Sequence, residues 1–260
     1  MLKWIILLVS CSLSYGGNMQ ISKKGLAQLA GEEGCCTAPY WDAAGGIWTF
    51  GIGITRYDAP PNPEDMEKGK DMKLDYCFSL FYKKLQKYVG EVNNHVHVEI
   101  TQEQFDALVS FHYNTGSIGR ATLTSIINNG RANEMSDDGV HTVAWNAFMM
   151  WVTPSAVRSR RVREANLFQY GRYELNGRVL ITTADRHGHE HGAYEINALS
   201  YIDNIYPNTE TNTSINEGDG GFVYSVGLSG VGQSVAGPWT AGTGLTTPPN
   251  SIDPDPTTGE

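Results

Sequence analysis

Apolar residues at steps of three and four mark a succession of helices along most of the chain. Leu26, Leu29 and Ala30 form a stripe within 22–33, and Ser22 is placed to cap its start. Residues 72–92 carry Leu74, Cys77, Phe78, Phe81, Leu85 and Val89 on one side, the pattern of a long half-buried helix. The next begins at Thr101, where Thr-x-x-Gln is a capping box, and presents Phe105, Leu108, Val109 and His112 on one face. Further helices are expected at about 118–129, 140–151 and 155–170. Between the first two, residues 40–55 read as a Gly-punctuated β-hairpin. Beyond Gly171 the pattern changes. Arg178 to Thr183, a polar His-Gly turn and Tyr194-Glu195-Ile196 suit a short hairpin within 175–206. Residues 207–260, rich in Gly, Ser, Thr, Asn and Pro, read as a linker or flexible tail.

Composition narrows the class. At 260 residues and 40% hydrophobic content the chain suits one ordinary globular domain with appendages. Residues 19–174 hold 16 basic and 18 acidic side chains, a net of −2, whereas 175–260 hold 2 and 10, a net of −8. Most of the net charge of −9 therefore resides in the C-terminal third, which argues against nucleic acid as a partner.

The chemistry concentrates between Glu33 and Thr55. Glu33 ends the first helix on the same face as Leu26, Leu29 and Ala30, and burial penalises the charged form of a carboxyl. Glu32, about 100° further round, is expected to be the solvated one. Asp42 falls in a turn-rich segment where backbone donors and water favour ionisation. Two carboxyls in unlike surroundings suit glycosidic-bond hydrolysis, one delivering a proton and the other handling water or the sugar cation. Each residue taken singly also has an ordinary reading, as a helix-end carboxylate or a turn aspartate.

The combination is more specific than its parts. Glu-Gly, then Ala-Pro-Tyr-Trp-Asp, then Gly-x-x-Thr-x-Gly-x-Gly-x-Thr resembles the phage-type lysozymes, the muramidase family of bacteriophage endolysins. Ile100 to Leu108 leading into Phe111-His112-Tyr113-Asn114-Thr115-Gly116 is similar to that family's central helix and substrate loop, and Arg160 to Phe168 to its final helix. The resemblance covers about 19–174. It implies an α+β fold, with an α-rich lobe, a small β-hairpin lobe and a cleft between them. It also implies hydrolysis of the β-1,4 bond between N-acetylmuramic acid and N-acetylglucosamine in bacterial peptidoglycan, without metal or cofactor, by a monomer.

Carried over residue by residue, the resemblance gives Glu33 the role of general acid, Asp42 that of second carboxylate, and Thr49 that of helping to place water. Tyr113 and Asn114 become glycan-contacting candidates, Asn114 having loop capping as its plainer alternative. Arg158 and Arg161, three apart and following Trp151-Val152-Thr153-Pro154, become candidates to approach Glu33, while Arg160 and Arg163 are expected on a solvated face. Two departures stand out. Six residues separate Asp42 from Thr49 where the family usually has five, with Gly45-Gly46 the site of the extra one. Ile54 stands where many members have His. Two rival readings are a lytic transglycosylase, against which Asp42 and Thr49 count, and a catalytically idle wall-binding or virion protein using Phe222, Tyr224 and Trp239 of the tail.

Three features outside these blocks bear on function. The apolar run from Trp4 to Val9 after Lys3 suits a secretory signal or weak membrane anchor over 1–18, hence export to the periplasm or cell wall. A start at Met19, a stay in the host cytoplasm before release, or carriage in the virion are the alternatives. In an oxidising compartment Cys35 or Cys36 could bond Cys77. An exchange of Cys11 with either is suggested by membrane-tethered members of the family, buried free thiols being the plain reading. His187-x-His189-x-His191 is read as a solvated turn in preference to a metal site.

Overall fold

The computed structural model describes residues 19–206; the leader, the tail and its aromatic residues lie outside the described residues. The element order is α1 (Lys23–Glu33), β1 (Cys35–Asp42), β2 (Ile47–Gly51), α2 (Leu74–His95), α3 (Gln102–Thr115), α4 (Thr122–Asn128), α5 (Val143–Met149), a 3-10 turn (Ser155–Val157), α6 (Arg158–Tyr170), β3 (Arg178–Ala184), β4 (Glu190–Asn197) and α7 (Leu199–Ile205). This is a mixed α+β fold, a helical lobe with a small sheet.

The helix starts follow the local chemistry. Ser22 accepts from the Gly25 amide at 2.9 Å, and Thr101 with Gln104 forms the reciprocal capping box. Such caps satisfy amides that the helix leaves unpaired, and each contributes about 1 kcal/mol. The 22 residues of α2 span roughly 33 Å. Their buried face, Cys77, Phe78, Phe81, Leu85, Val89 and Val92, is the side that the apolar spacing marked. Phe105, Leu108 and Phe111 of α3, Phe148 of α5 and Phe168 of α6 close the core around it. Ile54, at the family's His position, is 2% exposed and bridges to Phe50, so an apolar side chain fills the place within the core.

Residues 175–206 differ from the appendage expected of them. The hairpin forms, but β3 adds in parallel to β1 through Cys35↔Ile181 and Cys36↔Thr182, giving one sheet of order β2-β1-β3-β4. Val179, Ile181, Ala198 and Ile202 are buried in the same core as α1 and α2. Tyr201 of α7 stacks on Phe78 at 5.7 Å, and the Tyr206 hydroxyl donates to the Ile21 carbonyl at 2.5 Å. The physical reason is that α1 and α2 each have apolar surface that the earlier elements leave uncovered. β3, β4 and α7 bury it.

Candidate active site

Glu33 is the last residue of α1. Gly34 follows at φ 71°, a conformation that disfavours any residue with a Cβ, and turns the chain directly into β1. The helix end thereby holds Glu33 where β1 begins. Its side chain is 23% exposed, whereas that of Glu32 is 3% exposed. This reverses the expected assignment. Glu32 faces α6, where Arg163 donates to it from both Nε and Nη2 at 2.6 Å, so the pair is bidentate and the carboxylate shielded.

The arginine that meets Glu33 is Arg160. Its Nη1 donates to Glu33 Oε1, its Nε to Glu164 Oε1 at 3.0 Å, and its Nη2 to the Ser110 carbonyl at 3.1 Å. Burial opposes its charge, but Glu33 and Glu164 outweigh burial and hold the guanidinium protonated above its ordinary value. Arg160 and Arg163 thus leave the solvated face expected of them, and Arg158 is exposed at the first residue of α6. The reason is helical phase. The buried face of α6 runs through Arg160, Arg161, Glu164, Ala165, Leu167 and Phe168, and Arg158 projects from the turn before the core begins.

Arg161 is 0% exposed and serves α3. It pairs with Glu164 at 2.5 Å, lies over the Phe111 ring at 5.2 Å, and donates to Asn114 Oδ1 at 2.5 Å. The amide of Asn114 is thereby oriented at the exposed end of α3. Tyr113, one residue earlier, donates to the Ile52 carbonyl at 3.3 Å and links α3 to the loop after β2. Burial pushes its phenol well above the ordinary range, with Glu33 the leading charge acting on it. Tyr88 is pushed up to about 12 by burial and by Asp58, Glu91 and Glu33.

Asp42 and Thr49 sit on the β1–β2 hairpin. The register pairs Tyr40 with Thr49 and Asp42 with Ile47, so these four side chains share one face. Trp41 and Trp48 share the other, ring centroids 5.9 Å apart. Asp42 Oδ1 accepts from the amides of Ala44 and Gly45 at 3.0 and 3.1 Å, an Asx turn that fixes the carboxylate. A Cβ on Gly45 would approach Asp42 Oδ2 to 2.8 Å, so the glycine pair accommodates the longer turn without displacing Asp42. Thr49 is 4% exposed. Tyr40, on the same hairpin face as Asp42, feels both carboxyls: burial raises its phenol, and Glu190, Asp42, Cys36 and Glu33 all act on it in the same direction.

Several neighbours complete the picture. Cys35, Cys36 and Cys77 are buried free thiols, and burial pushes Cys36 up to about 11. His112 is buried, with Nε2 on Glu91 at 2.5 Å and Nδ1 accepting from the Ile118 amide at 3.3 Å, a core histidine with both nitrogens used. His187 and His189 stand 6.1 Å apart in the turn between β3 and β4, with His189 3.4 Å from Asp185.

The sequence profile described as phage lysozyme matches residues 30–164, just over half the chain and the span from α1 to Glu164. The chain belongs to the phage lysozyme family. It is 29% identical to the endolysin of Salmonella phage P22 over 154 residues, 58% of this chain and 98% of that one. It is 30% identical to the endolysin of Bacillus phage PZA over 158 residues, 59% of this chain and 56% of that longer protein. Among solved structures, the endolysin from Escherichia coli O157:H7 phage FAHEc1 superposes with a TM-score of 0.51 at 29% identity, covering 60% of this chain and 98% of the other. β3, β4 and α7 of this phage lysozyme lie beyond the residues that the family profile matches.

Sequence reasoning missed Arg160, Glu164 and Tyr40. A signal for the first two was present: Arg160 and Glu164 are four apart, Arg161 and Glu164 three, and all share a face with Ala165 and Phe168.

Proposed function

We propose that this chain is an N-acetylmuramidase that hydrolyses the β-1,4 bond between N-acetylmuramic acid and N-acetylglucosamine of bacterial peptidoglycan. The reading rests on family membership together with one observation: a partly exposed carboxyl, Glu33, held by a buried arginine, with Asp42 and Thr49 on a shared face of the adjoining hairpin. In this reading the glycan lies in a cleft between helical lobe and sheet. Glu33 protonates the leaving oxygen, and Asp42 with Thr49 positions water on the opposite side of the sugar. Arg160 orients Glu33 and supplies positive charge as the proton leaves. Tyr113 and Asn114 contact the glycan. The enzyme acts as a monomer, and residues 1–18 direct it to the periplasm or cell wall.

Release of reducing ends from purified peptidoglycan tests this. Glu33→Gln is expected to lower the rate by a factor on the order of 10²–10⁴, the usual contribution of general acid catalysis. Asp42→Asn and Thr49→Ala lower it too. Full activity in Glu33→Gln would remove the proposal.

A further inference from the structure

A cavity of about 460 Å³, whose lining does not include Glu33, is bordered by Thr37, Asp71, Met72, Leu74, Thr182, Thr183 and Tyr194. Its walls combine β1, the segment entering α2, and the β3–β4 hairpin, and Thr182, Thr183 and Tyr194 lie beyond the family match. Asp71 is its charged group. Thr37 donates to Asp71 Oδ1 at 2.6 Å, and Thr183 donates to the same oxygen. Among the described residues Oδ2 receives no hydrogen bond. The two hydroxyls hold the Asp71 carboxyl below its usual range against the opposing effect of burial, with His191 adding to them. Thr182 hydrogen-bonds a second carboxylate, Glu190, at 2.8 Å. Asp71 and Glu190 are both exposed, and beside Asp71 stand an aliphatic wall, Met72 and Leu74, and the ring of Tyr194, 56% exposed. Gly192, at φ 59°, is the extra residue where the β3–β4 register shifts, and bends β4 at the rim.

An ionised carboxylate with an open oxygen, beside an aromatic face and an aliphatic wall, suits a primary ammonium on an alkyl chain. The ammonium would neutralise the Asp71 charge, which sugar hydroxyls would not, and an anion would be repelled. We infer that this cavity binds the side-chain ammonium of the diamino-acid residue in peptidoglycan stem peptides, a wall-holding site separate from the one that cuts the glycan. The inference rests on the muramidase reading for its choice of polymer. Its occupant is set by the chemistry of the cavity. The site lets a chain of net charge −9 stay on the wall mesh between cleavages.

The test uses full-length protein and two synthetic peptides, Ala-Glu-Lys-Ala and its norleucine counterpart, with binding read by calorimetry or NMR titration. The lysine peptide binds and the norleucine peptide does not. Asp71→Asn weakens lysine-peptide binding by about tenfold, as expected for loss of a charge-assisted contact of about 1.4 kcal/mol. Tyr194→Ala, at an exposed edge, weakens it independently of any folding effect at Asp71, and Glu33→Gln leaves it unchanged. Equal binding of both peptides, binding indifferent to Asp71→Asn and Tyr194→Ala, or no binding at all overturns the site. Reducing-end release from intact wall is measured alongside. Lysine-peptide binding without wall cleavage retains the ammonium site and removes the muramidase reading; cleavage without lysine-peptide binding does the reverse.

Discussion

Arg160 and Glu33 are 127 residues apart in sequence and joined by a hydrogen bond from Nη1 to Oε1, with Glu164 and Ser110 holding the rest of the guanidinium. The last helix of the family match thus fixes the carboxyl at the end of the first. Arg160→Gln leaves Glu164 to Arg161 and Ser110 and takes the partner from Glu33, and is expected to destabilise the fold by about 1–3 kcal/mol and to lower peptidoglycan cleavage. Arg158→Gln, at an exposed position, is expected to change stability by no more than about 0.5 kcal/mol and leave cleavage intact. Urea denaturation and a reducing-end assay on both variants check the contrast.

Gly34 carries the chain from Glu33 into β1 at φ 71°. Gly34→Ala forces a Cβ into that conformation, for about 1–3 kcal/mol of strain. It is expected to lower Tm and, by shifting the end of α1, to lower kcat more than it raises KM. Steady-state kinetics on soluble glycan oligomers measure this.

The sheet order predicts where the folding unit ends. Truncation after residue 174 removes β3, β4 and α7, uncovers Phe78 and leaves β1 without its parallel neighbour. A 19–174 fragment is expected to lose cooperative unfolding, whereas 19–206 keeps it. Thermal melts by near-UV circular dichroism distinguish the two.

His112 gives stability a pH dependence. Burial lowers its pKa below the ordinary value, although Glu91 opposes this. The unfolded chain then binds the proton more readily than the native one, so stability is full above about pH 6.5 and falls as pH drops toward the folded pKa. The slope from this residue is at most about 1.4 kcal/mol per pH unit. His112→Gln is expected to flatten the dependence between about pH 6.5 and 5. Denaturation midpoints of the two proteins across that interval measure the difference.

What the sequence disclosed follows the range of the interactions. Ser22, the Thr101–Gln104 box and the apolar stripe of α2 act within a few residues, and their helices stand where the spacing put them. The Asx turn at Asp42 is equally local. The parallel pairing of β1 with β3 joins Cys35 to Ile181, and nothing in either segment names the other. A spacing of three points to Arg158 rather than Arg160 because it places residues on one face without saying where the core begins along the helix. The capping of Arg160 and Arg161 by Glu164 decides that, and it shows only once the buried face of α6 is traced through Ala165 and Phe168.

Digestion of purified peptidoglycan in heavy-oxygen water, with muropeptides analysed by mass spectrometry, separates hydrolysis from the alternatives. Hydrolysis gives reducing-end products carrying one heavy oxygen on the N-acetylmuramic acid, and Glu33→Gln abolishes them. Anhydro products without the label, or no products from well-folded protein, would contradict it.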